Sequence, residues 1–288
     1  MKISLIMATF GRCAEIEILL DSLDLQTSSA FEVIIADQNR DGKLAPIMQR
    51  LAASTISHKH ILTDRKGLSI ARNMAFPHAS HEIVGYPDDD CWYEDGVVGK
   101  VIEYFENNPD CDGLVGRWCE TDVNFSEEFS LDAERWRRFR LGISAFSSCL
   151  FFRRELVERV GGFDERLGVP LWFGAGEETD LVMRFLAAGA RIRYLPAVRI
   201  HHPVKSIDNG AMELREVRKR SRGTGALYRK HRLPWFVICC GLLSPLVKSF
   251  VPPYSRRRIL ANLMTITGRI EGLSSWRDVS APPPPSFR

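Results

Sequence analysis

The sequence contains no Cys-x-x-Cys pair, no G-x-G-x-x-G or Walker A stretch and no internal repeat. Its seven cysteines are odd in number and unpaired in pattern, so they read as reduced thiols, not as a disulfide framework or a zinc site. Without a glycine-rich phosphate loop, any nucleotide must have its phosphates anchored by other means. Nothing resembles a leader: Met1 and Lys2 run straight into Ile3–Ala8, a core-like strand, and the expected compartment is cytoplasmic. Trp235–Val247 carries no charge, but its thirteen residues fall short of the roughly 20 that a spanning helix needs. An EF-hand beginning at Asp88 is excluded, because Trp92 and Tyr93 stand where a ligand and a glycine are required. The only low-complexity tract is Pro282–Pro285, an expected extended tail.

Net charge is also small, +3 over 288 residues, but it is unevenly spread. Lys205–Arg288 holds 16 basic and 5 acidic residues, a balance of +11, which leaves 23 basic and 31 acidic residues, or −8, before it. An acidic body with a basic C-terminal third points to an anionic partner, membrane or nucleic acid. A nucleic-acid role would leave the acidic clusters described below without a purpose, and no nucleic acid is expected.

Apolar runs at Ile3–Ala8, Phe31–Ala36, Lys59–Leu62 and Glu82–Tyr86 read as strands, and helical patterns fall between them. One such helix carries Ile16, Leu19, Leu20 and Leu23 on one face. Others are expected at Leu44–Ala53 and Gly67–Phe76. This alternation predicts an α/β fold, a Rossmann-like, mostly parallel sheet flanked by helices. Further on come a helix at Glu94–Asn107, strands at Gly113–Trp118 and Ser147–Phe152, and a helix at Arg154–Val160. A helix over Leu181–Ala188 precedes two short strands, Arg191–Leu195 and Val198–His201. Between them, Cys119–Leu141 turns polar and includes Arg135-Trp136-Arg137-Arg138, either an acceptor-binding excursion or a solvated amphipathic helix.

The chain is organised around Tyr86-Pro87-Asp88-Asp89-Asp90-Cys91-Trp92, where three carboxylates follow a buried strand. Open α/β sheets bind ligands at that edge. On an extended backbone Asp88 and Asp90 face one side and Asp89 the other. A divalent cation relieves the repulsion of two converging carboxylates and keeps positions open for phosphate oxygens. The plainer alternative is an acidic surface turn. Asp37 ends the second strand, where such folds place an acid against a ribose or base; it is otherwise a cap or turn residue. Glu177-Glu178-Thr179-Asp180 opens a helix, so its charges either complement the helix dipole or supply a general base. Helical spacing puts Glu177 and Asp180 on one face and Glu178 elsewhere. His201-His202 is either a turn or a source of a metal ligand.

The order of these pieces resembles the family 2 glycosyltransferases of the GT-A fold. The resemblance rests on strand–Thr9, strand–Asp37, Gly67–Asn73, Asp88–Asp90, Phe151–Arg154, Gly161-Gly162-Phe163-Asp164-Glu165, Gly176–Leu181 and His202, and covers about Lys2–Pro203. It implies a catalytic domain over 1–204, with a nucleotide-binding half (1–90) and an acceptor half (91–204), followed by a basic helical region over 205–288. It implies an inverting transfer of sugar from a nucleotide-sugar, with Mg²⁺ or Mn²⁺, to a saccharide or lipid-linked acceptor in surface polysaccharide or glycoconjugate synthesis. By position, Thr9 and Asp37 hold the nucleoside, with Asp88 and Asp89 also at the donor. Arg72, and Lys66 less directly, lie near the diphosphate. Asp90 and Asp88 take the metal with His202, whose rival is His201. Glu178 stands where the family usually has Asp as base, and Asp180 is the second candidate. Gln38-Asn39-Arg40-Asp41 departs from the usual donor turn, which leaves the donor open; by family frequency UDP is the first expected nucleotide, with GDP and dTDP open. The substitution at the base also leaves open a nucleotide-sugar-binding protein without catalysis.

In the C-terminal third, Gly210–His231 reads as a basic helix, and Trp235–Val247 as an in-plane interfacial segment beside Arg256-Arg257-Arg258. The alternatives are a core helix or a dimer interface. Interfacial placement would put the protein at the inner face of the cell membrane.

Overall fold

The computed structural model describes residues 1–120, 125–132, 147–203, 210–252 and 254–277. The expected Arg135–Arg138 excursion and the Pro282–Pro285 tail lie outside them. Among the described residues nine strands form one sheet: β1 (Ile3–Thr9), β2 (Phe31–Asp37), β3 (Ser57–Leu62), β4 (Ile83–Gly85), β5 (Trp92–Tyr93), β6 (Gly113–Trp118), β7 (Phe129–Ser130), β8 (Leu150–Arg153) and β9 (Ile192–His201). Their order is β3-β2-β1-β4-β8-β6-β9-β5, with β7 also on β9. The long ladders β1–β2, β2–β3 and β6–β9 are parallel, and the short ones around β8, β5 and β7 are antiparallel.

Both faces of the sheet are covered, which is why β1 and β2 are apolar without alternation. Ile3, Leu5, Met7, Val33 and Ile35 pack on one side with α1 (Ala14–Asp24), α2 (Ala45–Ala53) and α4 (Val97–Asn107). Ile6, Ala8, Ile34 and Ala36 pack on the other with α3 (Leu68–Ala75), α5 (Arg154–Val160) and α6 (Glu177–Ala187). The two expected strands after α6 are one strand, β9. Its register against β6 slips from Gly116↔Leu195 to Arg117↔Arg199, so Pro196–Val198 bulge out of the ladder. A Cβ on Gly116 would sit 2.8 Å from the Val198 carbonyl, so the bulge needs glycine opposite it.

Three helices follow: α7 (Gly210–Lys230), α8 (Trp235–Ser249) and α9 (Arg256–Ser275). α9 falls within the expected basic helical region, where the sequence singles out only the arginine cluster at its start. It packs on α7 backbone to backbone: Cβ atoms on Gly225 and Gly272 would lie 2.0 Å from the carbonyls of Arg269 and Arg222. Glu271 then accepts from Arg222 Nε at 2.7 Å and from Arg218 Nε at 3.1 Å, which holds its carboxyl down at about 2.

Candidate active site

The C-terminal ends of β1, β2 and β4 form one edge. Thr9 is in register with Asp37, and a bridge between Ala8 and Asp88 carries the β4 chain along β1 beyond its formal end. The chain turns at Asp89 and Asp90, with Cys91 N donating to the Asp88 carbonyl at 3.3 Å, so the alternation expected of an extended backbone does not place the aspartates. Asp89 turns inward and accepts from Thr9 Oγ1 at 2.7 Å and from Arg12. Burial raises its pKa, an effect that Arg12 and Thr9 oppose. Asp88 and Asp90 both reach His202, whose Nε2 is 3.0 Å from Asp90 Oδ1 and 3.8 Å from Asp88 Oδ2, while Asp90 Oδ2 shares Arg12 with Asp89.

His202 is oriented for ligation. Its Nδ1 lies 3.0 Å from the Pro203 carbonyl, and with the proton held there Nε2 would offer its lone pair to a cation shared with the carboxylates. Trp118 holds the backbone by donating from Nε1 to the His202 carbonyl at 3.2 Å, and the edge of its ring meets the imidazole. Donor atoms of Asp88, Asp90 and His202 all lie within 4.8 Å of one another. Two carboxylates and a neutral imidazole suit a hard divalent cation with positions to spare. A second group, Glu94, Cys119 and His201, meets the same spacing. There, however, Glu94 Oε1 already accepts from Arg199 Nε at 2.7 Å, and His201 is tied to Glu94 and Glu120. His202, not its rival His201, joins the aspartates.

Arg72 lies beneath this trio. Its side chain is 0% exposed, whereas Arg12, which grips Asp90 Oδ2 at 2.6 Å, is 28% exposed. Arg72 donates to Asp88 Oδ1 at 2.8 Å, approaches Glu178 at 3.9 Å and sits against the rings of Phe163 and Tyr86. Its Nε and Nη1 have no acceptor among the described residues. A guanidinium so enclosed holds Asp88 and the glutamates in place. Arg12 is the guanidinium on the more open side of the aspartates. Glu177 and Glu178 share the space in front of Arg72. Burial raises both, and the neighbouring Glu177 charge pushes Glu178 further up.

The motifs that bring these groups together interlock. Asn73, one residue past Arg72 on α3, accepts from Phe163 N and donates to the Phe163 carbonyl, both at 2.9 Å. Gly162, at φ +71°, leaves the room this needs: a Cβ there would be 2.6 Å from Asn73 Oδ1. The Gly-Gly-Phe-Asp turn is thus clamped to α3, and Phe163 becomes a wall for Arg72.

The model of the family described as "Glycosyl transferase family 2" matches residues 4–161, more than half of the chain. The chain belongs to glycosyl transferase family 2. It is similar to the glucosyl-dolichyl phosphate glucuronosyltransferase of Haloferax volcanii, 21% identical over 216 residues that span 70% of this chain and 69% of that protein. It is also similar to the pre-mycofactocin glycosyltransferase of Mycobacterium tuberculosis, 26% identical over 191 residues, 59% of this chain and 37% of the other. A solved mannosyltransferase from Pyrobaculum calidifontis, in complex with GDP-Man and Mn²⁺, superposes with a TM-score of 0.68 at 16% identity, covering 94% of this chain and 87% of that one. S. aureus TarS 1–349 with UDP-GlcNAc gives 0.62 at 16% identity, covering 93% and 90%. The fold is GT-A, with a helical C-terminal extension, and the protein is a glycosyltransferase.

The remaining expected residues of this glycosyltransferase fall outside the trio. Asp37 stays at the same edge, but its carboxylate accepts from Asn39 N and Nδ2 at 2.8 Å and pairs with His60 Nε2 at 2.9 Å, so it also builds its own turn. Lys66 lies at the rim, its Nζ 4.4 Å from the centre of the exposed Phe10 ring. Asp180 is the clear departure. α6 begins at Glu177, so the acidic cluster opens the helix as expected, with Glu177 and Asp180 buried and Glu178 half-buried; Glu177 nevertheless pairs with Glu178, and Asp180 meets other partners. Asp180 is fully buried and meets Arg184 Nε at 2.8 Å, Lys230 Nζ at 2.6 Å and His231 Nε2 at 2.8 Å. The Arg184 and Lys230 charges, with the hydrogen bond to His231, hold its pKa far below the usual carboxylate range. Arg12 is the site residue that sequence reasoning missed. Its one signal is its position three residues after Thr9, at the end of β1.

Proposed function

We propose that this glycosyltransferase moves a sugar from a nucleotide-diphosphate sugar to a hydroxyl of a saccharide or lipid-linked saccharide, with inversion at the anomeric carbon, in surface polysaccharide or glycoconjugate synthesis. The observation that carries the reading is a continuous chain of contacts. It runs from the Asp88–Asp90–His202 trio through Arg72 to Glu178, with steps of 2.8 and 3.9 Å at Arg72. The donor set fits Mg²⁺ or Mn²⁺ at Asp88, Asp90 and His202; such an ion, when bound, offsets the charge of a leaving diphosphate as a Lewis acid.

The chain's own residues do the rest. Arg12 holds Asp90 by one oxygen, leaving Oδ1 turned to His202, and presents the exposed cation nearest the leaving phosphates. Thr9 and Asp37 line the edge where a nucleoside would lie, and Lys66 closes its rim. Glu178 takes the proton of the acceptor hydroxyl. Its raised pKa brings it closer to the operating pH, where a general base is most effective. A single displacement needs no nucleophile from the protein.

The Haloferax relative is named for a glucosyl-dolichyl phosphate substrate, which favours a lipid-linked acceptor. The structural neighbours hold GDP-Man and UDP-GlcNAc, so both nucleotides belong in the test, with dTDP-sugars beside them. Donor binding and slow donor hydrolysis are measured with Mn²⁺ and with EDTA, in the wild type, Asp90→Ala and Glu178→Gln. The expected result is one donor that binds only with metal, no such binding by Asp90→Ala, and binding by Glu178→Gln with turnover down by roughly 10²–10⁴. Absence of binding by every donor would overturn the donor assignment. Wild-type turnover by Glu178→Gln would move the base elsewhere, and donor binding with no turnover in the wild type, even with acceptor extracts, would favour a non-catalytic binder.

A further inference from the structure

Most of the exposed large apolar side chains gather in one part of the molecule. Among the described residues, twelve of the nineteen lie between Trp235 and Ile270, on α8, α9 and the link between them. They are not scattered along α8. Leu243, Leu246, Val247 and Phe250 follow the i, i+3, i+4, i+7 spacing of a single helical stripe, continued towards the N-terminus by Cys239 and Phe236. Val247 is 61% exposed, and the aromatic residues at the stripe's borders, Trp235, Phe250 and Tyr254, are 76%, 71% and 70% exposed. Within α8 only Val237, Pro245 and Ser249 are buried. The helix therefore touches the rest of the protein along a narrow line and offers its apolar side outward. Monomeric soluble proteins rarely leave such a contiguous surface uncovered.

The chemistry at the borders identifies the cover. Lys248 and Arg256 are exposed at the junction of the apolar helix and α9, beside Arg257 and Arg258, with no acidic residue from Trp235 to Ile270. Tryptophan and tyrosine at the edges of an apolar stripe, with a cationic rim, match a headgroup region above acyl chains. No helix among the described residues is long and apolar enough to cross a bilayer. We infer that α8 and the first turns of α9 lie in the plane of an anionic lipid bilayer, the stripe sunk among the acyl chains and Lys248 and Arg256 on the headgroups. This rests on the surface of the C-terminal helices and is independent of the donor and base assignments.

The test is sedimentation of the full chain with phosphatidylglycerol-containing vesicles and with pure phosphatidylcholine vesicles. It is paired with quenching of tryptophan fluorescence by brominated lipid in the wild type and Trp235→Phe. Binding is expected to favour the anionic vesicles, and the quenching to fall in Trp235→Phe. The double variant Lys248→Gln/Arg256→Gln is expected to bind anionic vesicles roughly thirtyfold more weakly. Leu243→Glu/Val247→Glu is expected to lose more than about tenfold on either vesicle. Both variants change exposed residues and are expected to keep the wild-type melting temperature. If the wild type stays in the supernatant with anionic vesicles, the inference fails. It also fails if the wild type is a dimer that Leu243→Glu/Val247→Glu converts to a monomer while vesicle binding is absent; the stripe would then be covered by a second copy.

Discussion

Asp180→Asn separates the two carboxylates that stand two residues apart on α6. The side chain is fully buried, and its two oxygens meet two cations and an imidazole: Arg184 on Oδ2 and both Lys230 and His231 on Oδ1. Asparagine keeps the shape but removes the charge, leaving the Lys230 ammonium and the Arg184 guanidinium without their shared anion. Breaking a buried pair from one side costs about 3–5 kcal/mol. At roughly 2–3 °C per kcal/mol for a chain of this size, the melting temperature should drop by about 6–15 °C. The pH dependence has a definite sign. The folded pKa of Asp180 lies below its unfolded value, so its contribution is complete above about pH 4 and is lost as pH falls through the folded pKa. The difference between wild type and variant should therefore be flat from neutral pH down to about pH 5 and shrink below about pH 4.

The assay is a pair of measurements: thermal unfolding across pH, and donor hydrolysis well below the variant's melting temperature. Because Asp180 points away from Arg72 and the metal trio, hydrolysis by the folded variant should fall by less than about tenfold, or roughly 1.4 kcal/mol of barrier. An Asp180→Asn protein with wild-type melting and abolished turnover would refute this reasoning and make Asp180 the base.

Two further substitutions probe other contacts. Arg12→Ala removes the exposed cation that bridges Asp89 and Asp90, and should weaken metal-dependent donor binding by roughly 10–100-fold in a calorimetric titration; an unchanged Kd would return the phosphate role to Arg72. Gly272→Ala places a methyl group 2.0 Å from the Arg222 backbone carbonyl, and should cost about 1–3 kcal/mol in a denaturant melt; no loss would mean that α7 and α9 can separate freely.

The legible parts of the chain were those where one local rule decides. β1 and β2 are central parallel strands, so their burial on both faces is written as unbroken apolar runs, and the acidic edge follows from where those runs stop. Thr9, Asp88, Asp90 and His202 lie just at or beyond strand ends, where a sequence reading can point to them. The misread elements depend on distant partners. β9 looked like two strands because Pro196 and the bulge interrupt its pattern, while the continuity is supplied by β6. α9 has an ordinary, weakly patterned sequence, and its place is set by glycines that let two backbones meet.

The acidic cluster on α6 is where local reading had to stop. Glu177, Glu178 and Asp180 are three carboxylates in one turn, and helix geometry alone pairs the first with the last. What assigns them is not on the helix. Arg72, on α3, draws the two glutamates to one side, and Lys230 and His231, some fifty residues downstream, draw Asp180 to the other. Lys230 also reaches Asp164 Oδ2 at 2.6 Å, one residue past the Phe163 ring that encloses Arg72. The lysine at the end of α7 thus ties together both segments that frame the buried guanidinium. The C-terminal helices, which looked like an appendage in the sequence, supply part of the electrostatic frame of the site, and truncating the chain after β9 would remove it.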